Sequence, residues 1–237
     1  MKSIVITGSS QGIGLEFARQ YLEKGFQVFA GSRNPGASQG LRQLRESHPL
    51  RLITHPLDVG DEKSRRDFSQ ALSTYTKSLD LLINNAGIIS GNEEFPHPFG
   101  ALDQEGLSKI FLVNAIAPLM MAECLSSLLG KGADPIVVNI TSDNGSIARR
   151  NHKGKYGYCA SKAALNMITK ILSHELRDQG IKVLALHPGW VKTPMTQHEN
   201  APLDPEESIR GMIGVIESLE MEDTGKFLSW KREEIPW

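Results

Sequence analysis

Cysteine is scarce in this chain: two among 237 residues, Cys124 and Cys159. They cannot build a disulfide framework, and they read as the reduced thiols of a cytoplasmic protein. Neither charge is in surplus, with 26 basic against 27 acidic side chains. The basic excess of a nucleic-acid binder is missing, so no nucleic-acid partner is expected. Long apolar runs are missing too. Ile4-Val5-Ile6 stops at Thr7-Gly8, short of the ~7–15 apolar residues of a secretory signal. No stretch approaches the ~18 apolar residues of a spanning helix, so no membrane partner is expected. The histidines show no H-x-x-x-H spacing, and no metal site is expected. With no repeat, low-complexity tract or linker, residues 1–237 read as one domain, an ordinary length for a single α/β unit.

What the sequence does contain is an alternation. Short apolar runs at 2–7, 26–31, 51–56, 79–84, 135–140, 181–186 and 226–230 are bounded by Gly, Asn, Asp or Pro. Such continuous runs suit strands buried on both faces, as in a parallel sheet. The segments between them are long enough for crossover helices. One runs from Gly14 to Lys24, with Gly25 placed to end it. Another, 158–179, carries Leu165, Ile168, Leu172 and Leu176 at helical spacing before Gly180. A third spans 104–129. At 204–207, Asp-Pro-Glu-Glu predicts an N-cap, a first-turn proline and a capping box through Glu207. The fold class expected is α/β: a single-domain, Rossmann-type, doubly wound sheet of about seven parallel strands with helices on both faces. Ligands of such sheets bind beyond the carboxyl ends of the strands.

Those ends hold the chemistry. After the first run comes Thr7-Gly8-Ser9-Ser10-Gln11-Gly12-Ile13-Gly14. Three glycines opening a helix let backbone approach a diphosphate, and the helix N-terminus offers free N–H groups to it. The second run ends Gly31-Ser32-Arg33-Asn34, with no carboxylate to receive a ribose 2′-hydroxyl. Arg33 suits a 2′-phosphate, which favours NADP(H) over NAD(H). Further on stand Asp58-Val59, Asn84-Asn85-Ala86-Gly87, Asn114, Ser142 with Gly145, Tyr158-x-x-x-Lys162 and Pro188-Gly189-x-Val191-x-Thr193. The i,i+4 spacing puts Tyr158 and Lys162 on one helical face. Tyr156 has Ala160 at that spacing and no lysine.

Together these residues resemble the short-chain dehydrogenase/reductase family over about the whole chain. The stretch after Ser142 and the ending Ile235-Pro236-Trp237 are similar to its C-factor and sniffer-like carbonyl reductase branch. The resemblance implies NADPH-dependent reduction of a ketone or aldehyde to an alcohol by hydride transfer. In it Asn114, Ser142, Tyr158 and Lys162 form the catalytic set. Tyr158 is the general acid/base, helped toward phenolate by Lys162 together with the oxidised nicotinamide. Ser142, rather than Thr141, donates to the developing oxyanion, and Lys162 also holds the nicotinamide ribose. Asn114 holds a relay water, through a backbone carbonyl that Pro118 would leave unpartnered. Gly8, Ser10, Gln11, Gly12, Ile13, Gly14, Arg33, Asn34, Asp58, Val59, Asn85, Ala86, Gly87, Pro188, Gly189, Val191 and Thr193 would bind the cofactor, with Asp58 on the adenine. Gln11 departs from the second basic residue that NADP-preferring relatives often carry in the glycine turn. The alternative reading is a cofactor-binding signalling or scaffold protein with vestigial catalysis. Segments 88–103, with Phe95 and Phe99, 145–157 and 190–203 would line a substrate mouth, to which Ile89, Trp190 and Met195 add apolar contacts. The charges Arg149, Arg150, His152, Lys153 and Lys155 read as solvated, or as a rim for an anionic substrate. Relatives assemble through 104–129 and 158–179, which makes a homodimer or homotetramer the expected assembly.

Overall fold

Seven strands form where the apolar runs stand. The structure, a computed structural model, describes residues 1–90, 99–196 and 200–237. The strands are β1 Ser3–Thr7, β2 Gln27–Ser32, β3 Leu52–Pro56, β4 Leu81–Asn84, β5 Ile136–Ile140, β6 Lys182–His187 and β7 Phe227–Ser229. All pair in parallel, in the order β3-β2-β1-β4-β5-β6-β7. The order reverses between β1 and β4, the place where such sheets open a crevice for ligands.

Side-chain alternation along the strands builds two cores. Ile4, Ile6, Val28 and Leu184 face one way, onto α1 (Gly12–Glu23), α2 (Gln39–Ser47) and α7 (Pro205–Glu217). Val5, Phe29, Leu82 and Val183 face the other, onto α3 (Glu62–Tyr75), α5 (Ala117–Leu129) and α6 (Tyr156–Glu175). Each fully buried Leu or Ile contributes about 1.5–3 kcal/mol, so the central strands are fixed by both layers.

Helix α1 starts at Gly12, ahead of the segment expected after Gly14, and ends at Glu23 with Lys24 as its C-cap. Gly25 takes φ +86°, its N–H donates to Leu22 O, and Phe26 N–H donates to Tyr21 O, a Schellman closure. The segment 104–129 is helical in three parts: α4 (Gln104–Phe111), a π turn at Leu112–Ile116, and α5. The π turn stands just before Pro118, which has no N–H to give the preceding turn. Contrary to the absence of a spanning stretch read above, Gln104–Leu129 is long and apolar enough by length and composition to cross a membrane. Its α5 half is built into the second core. The capping box at 204–207 is not made: Asp204 takes the N-cap position, but its carboxylate accepts from Lys192 Nζ at 2.9 Å instead of from the helix.

Residues 233–237 fold back beside β7. Ser229 N–H donates to Glu233 O and Ile235 N–H to Phe227 O, both at 2.8 Å. The Trp237 ring stacks on Phe227, and its carbonyl accepts from Ala148 N–H at 3.0 Å. Ser146 Oγ donates to Pro236 O. The loop after Ser142 is thereby tied to the end of the described chain.

Candidate active site

A cleft of about 310 Å³ lies over the carboxyl ends of the strands, at the reversal point. Its floor depends on close backbone contacts. Gly8 takes φ +66°, and a Cβ there would stand 2.8 Å from Ala86 Cα. A Cβ on Gly14 would meet Gly8 O and the Asn85 side chain. Asn85 Nδ2 donates to Thr7 O at 2.9 Å and Gly8 O at 3.1 Å, while Thr7 Oγ1 accepts from the N–H groups of Asn85 and Ala86 at 3.0 Å. The glycine turn and the Asn84–Gly87 segment therefore form one piece.

The catalytic end is built on α6. Tyr158 and Lys162 share its inner face, with Lys162 Nζ 5.9 Å from the Tyr158 ring centre. Lys162 Nζ donates to Ile140 O at 2.8 Å. Ser142 stands beside Tyr158 in the cleft wall and favours its ionised form. Thr141 is already spent, donating to Asn166 Oδ1 at 2.7 Å, so the preference for Ser142 has a geometric basis. Gly145 lets the serine turn approach: a Cβ there would lie 2.8 Å from Lys162 C and 2.9 Å from Lys162 Cβ. Gly145→Ala is expected to lower stability by about 1–3 kcal/mol and kcat at least ten-fold, with chemical denaturation and steady-state kinetics as the checks.

Burial sets the ionisation of this pair. It pushes Tyr158 up to about 12, against the Ser142 hydrogen bond, with Cys159 and Asp143 raising it further. It pushes Lys162 down to about 8. Phenolate was expected from Lys162 together with the oxidised nicotinamide; in the chain without that dinucleotide, burial is the largest influence on Tyr158. Desolvation outweighs a cation held on a backbone carbonyl.

Nearly all the residues expected at the site line the cleft: Gly8, Ser10, Gln11, Gly12, Ile13, Gly14, Arg33, Asp58, Val59, Asn85, Ala86, Gly87, Ser142, Tyr158, Lys162, Pro188, Gly189, Val191 and Thr193. Two do not. Asn34 stands outside the lining, at the start of a 3-10 turn over Pro35–Ala37. Asn114 is fully buried behind the wall. Its amide exchanges two 2.8 Å hydrogen bonds with the backbone of Ile88 and donates to Ser161 Oγ at 3.0 Å. Its side chain positions the segment after Gly87 and the start of α6. Asp58 Oδ1 accepts from Gly60 N–H at 2.9 Å, and the helix cap of α3 is Asp61, which accepts from Ser64 N–H.

At the mouth, Met195 lines the cleft, while Trp190 and Phe99 are exposed and Phe99 lies against Tyr156. Phe95 lies outside the described residues, as do the two prolines Pro96 and Pro98 beside it. Arg150 is a loop clamp rather than a free charge: it donates to Asn144 Oδ1 at 3.1 Å and to Gly154 O at 2.7 Å.

Among the lining residues without a role in the sequence reading are Ser32, Lys109 and His187. Ser32 Oγ is buried without a hydrogen-bond partner, and Arg33 beside it has no ion pair among the described residues. A buried hydroxyl and a free guanidinium at the end of β2 fit the phosphate of a dinucleotide. The remaining lining, glycine backbone at a helix N-terminus, fits its diphosphate.

The family model described as short chain dehydrogenase matches residues 2–204. The chain belongs to this family. As a short-chain dehydrogenase/reductase it stands in the carbonyl reductase branch. It is 38% identical over 167 residues to C-signal of Myxococcus xanthus, covering 70% of this chain and 98% of that protein. The NADPH-bound carbonyl reductase from chicken fatty liver superposes with a TM-score of 0.92 at 33% identity, over 100% of this chain and 99% of that one. The carbonyl reductase Sniffer of D. melanogaster gives 0.93 at 29%, over 100% of both chains. This short-chain dehydrogenase/reductase is thus an oxidoreductase of the carbonyl reductase type.

Proposed function

We propose that the chain is an NADP(H)-dependent carbonyl reductase that converts a small ketone or aldehyde to an alcohol, with Tyr158 as the proton donor. The observation that carries this reading is a half-buried phenol beside Ser142, in a cleft whose other end presents, among the described residues, a Ser32 hydroxyl without a hydrogen-bond partner and an Arg33 without an ion pair. The dinucleotide supplies the hydride when bound. Arg33 and Ser32 hold its 2′-phosphate, the Gly8–Gly14 turn its diphosphate, and Lys162, Gly189 and Thr193 its nicotinamide end. Ser142 positions the carbonyl oxygen, and Tyr158 protonates it. Proton resupply runs from Lys162 toward the Asn114 backbone. The NADPH in the chicken enzyme's structure supports the cofactor choice.

The reading also takes the protein as cytoplasmic. The exposed apolar positions Ile116, Met167 and Ile171 suit assembly as a homodimer or homotetramer through α5 and α6.

Fluorescence titration with NADPH and NADH, on wild type and Arg33→Ala, tests the cofactor assignment. The expected result is tighter NADPH binding that weakens about 10–100-fold in the variant, the loss of one charge-assisted phosphate contact. Equal NADH binding overturns the Arg33 assignment. Tight NADPH binding with no turnover across a carbonyl panel favours the signalling alternative.

A further inference from the structure

A polar line leaves Tyr158 on the side away from Lys162. Ser142 stands beside the phenol in the cleft wall, where it favours the ionised form of Tyr158, and the Ser142 hydroxyl donates to Asp143 Oδ1 at 3.2 Å. Asp143 is fixed from behind by His187: its N–H donates to His187 Nδ1 at 3.3 Å, and its Oδ1 lies 3.9 Å from His187 Nε2. Burial lowers His187 below its ordinary range, so its ring is neutral at neutral pH and Nδ1 is free to accept. The ring lines the cleft.

A serine hydroxyl has a single proton to give. While Tyr158 is a phenol it makes no demand on the Ser142 proton, which stays on Asp143 as Ser142 Oγ accepts from Asn144 N–H at 3.2 Å. A Tyr158 phenolate would need the Ser142 proton for itself. Ser142 would then turn away from Asp143 and leave a carboxylate without that donor, close to a second anion. Both the competition for the proton and the like charge oppose ionisation of Tyr158.

We propose that the Asp143 carboxylate, seated on His187, acts through Ser142 to keep Tyr158 protonated, and so biases the site toward carbonyl reduction over alcohol oxidation. Asp143 and His187 are positioning residues here, and the inference rests on the reading of Tyr158 given above. The other charged or titratable groups around the line are Arg149 and Arg150 from the following loop, with Cys159 and Lys162 from α6. Arg150 is spent on Asn144 and the loop carbonyls. Lys162 is held on Ile140 O.

The test is the pH profile of kcat for alcohol oxidation, where Tyr158 must accept a proton. Asp143→Asn is expected to move the rising limb down by roughly 0.5–1 pH unit, while Asp143→Glu keeps the wild-type limb. His187→Ala, which releases Asp143 without touching the serine turn, is expected to move it the same way. His187→Asn, whose amide oxygen can again accept the Asp143 N–H, restores it. Profiles of Asp143→Asn and His187→Ala that coincide with wild type overturn the inference. Tyr158→Phe run alongside separates the two levels. If that variant turns over normally, the catalytic reading itself fails. If it is inactive while the profiles coincide, only the Asp143 link fails.

Discussion

Tyr158→Phe is expected to lose about a thousand-fold in turnover while binding NADPH as wild type does. The change removes one oxygen from a buried ring and nothing from the phosphate end of the cleft, where Ser32 and Arg33 stand. A positioned general acid contributes about 10²–10⁴-fold, and the nearest rivals in sequence are placed elsewhere. Thr141 is committed to Asn166, and Tyr156 is half exposed against Phe99. Folding should hardly suffer, because Ser142 keeps Asp143 and Asn144 as partners. Steady-state kinetics and a fluorescence titration on one preparation check both halves. Turnover within ten-fold of wild type would rule out Tyr158 as the proton donor.

Lys162→Met should be equally inactive and yet no less stable. Lys162 is buried without a carboxylate, and burial alone brings it to about 8 from an ordinary value near 10.5. The unfolded chain therefore holds this proton more tightly than the folded one. The sign follows: between about pH 8 and pH 10.5 the wild type gains stability as pH rises, up to about 3 kcal/mol from this group, and below pH 8 the full cost is present. Tyr158, raised to about 12, works the other way and withdraws stability above about pH 10. In the methionine variant the gain between pH 8 and 10 disappears. At pH 7 its denaturation midpoint should match or exceed wild type, since removing the buried charge offsets the lost bond to Ile140 O. Urea melts of both proteins from pH 6 to 10 provide the check. A midpoint well below wild type would mean that the ammonium stabilises the fold rather than burdening it.

The fold was legible because strands covered on both faces need unbroken apolar runs, and those runs are plain in the sequence. The site was legible where a residue sits at a strand end or at helical spacing from its partner, as Arg33, Ser142, Tyr158 and Lys162 do. What escaped depends on where backbone goes. Asn114 reads as a cleft residue until the segment after Gly87 is seen to wrap back and take its amide, across 26 residues of sequence. Asp204 reads as a cap until Lys192 is found within reach. Lys109 borders the cleft from α4, an element that strand ends do not announce. The surroundings of the pair are only partly legible. The i,i+4 lysine is visible in sequence, whereas the desolvation of Tyr158 and Lys162 is not.

The return of residues 233–235 along β7 has a bearing on assembly. An open-edged parallel sheet ends in two rows of unpaired amides, each a template for another chain. Here the β7 row is already occupied by the chain's own residues. A second chain could not pair with β7 itself and would meet only the short outer edge of residues 233–235. The exposed apolar side chains of Met167 and Ile171 lie instead on the helical layer.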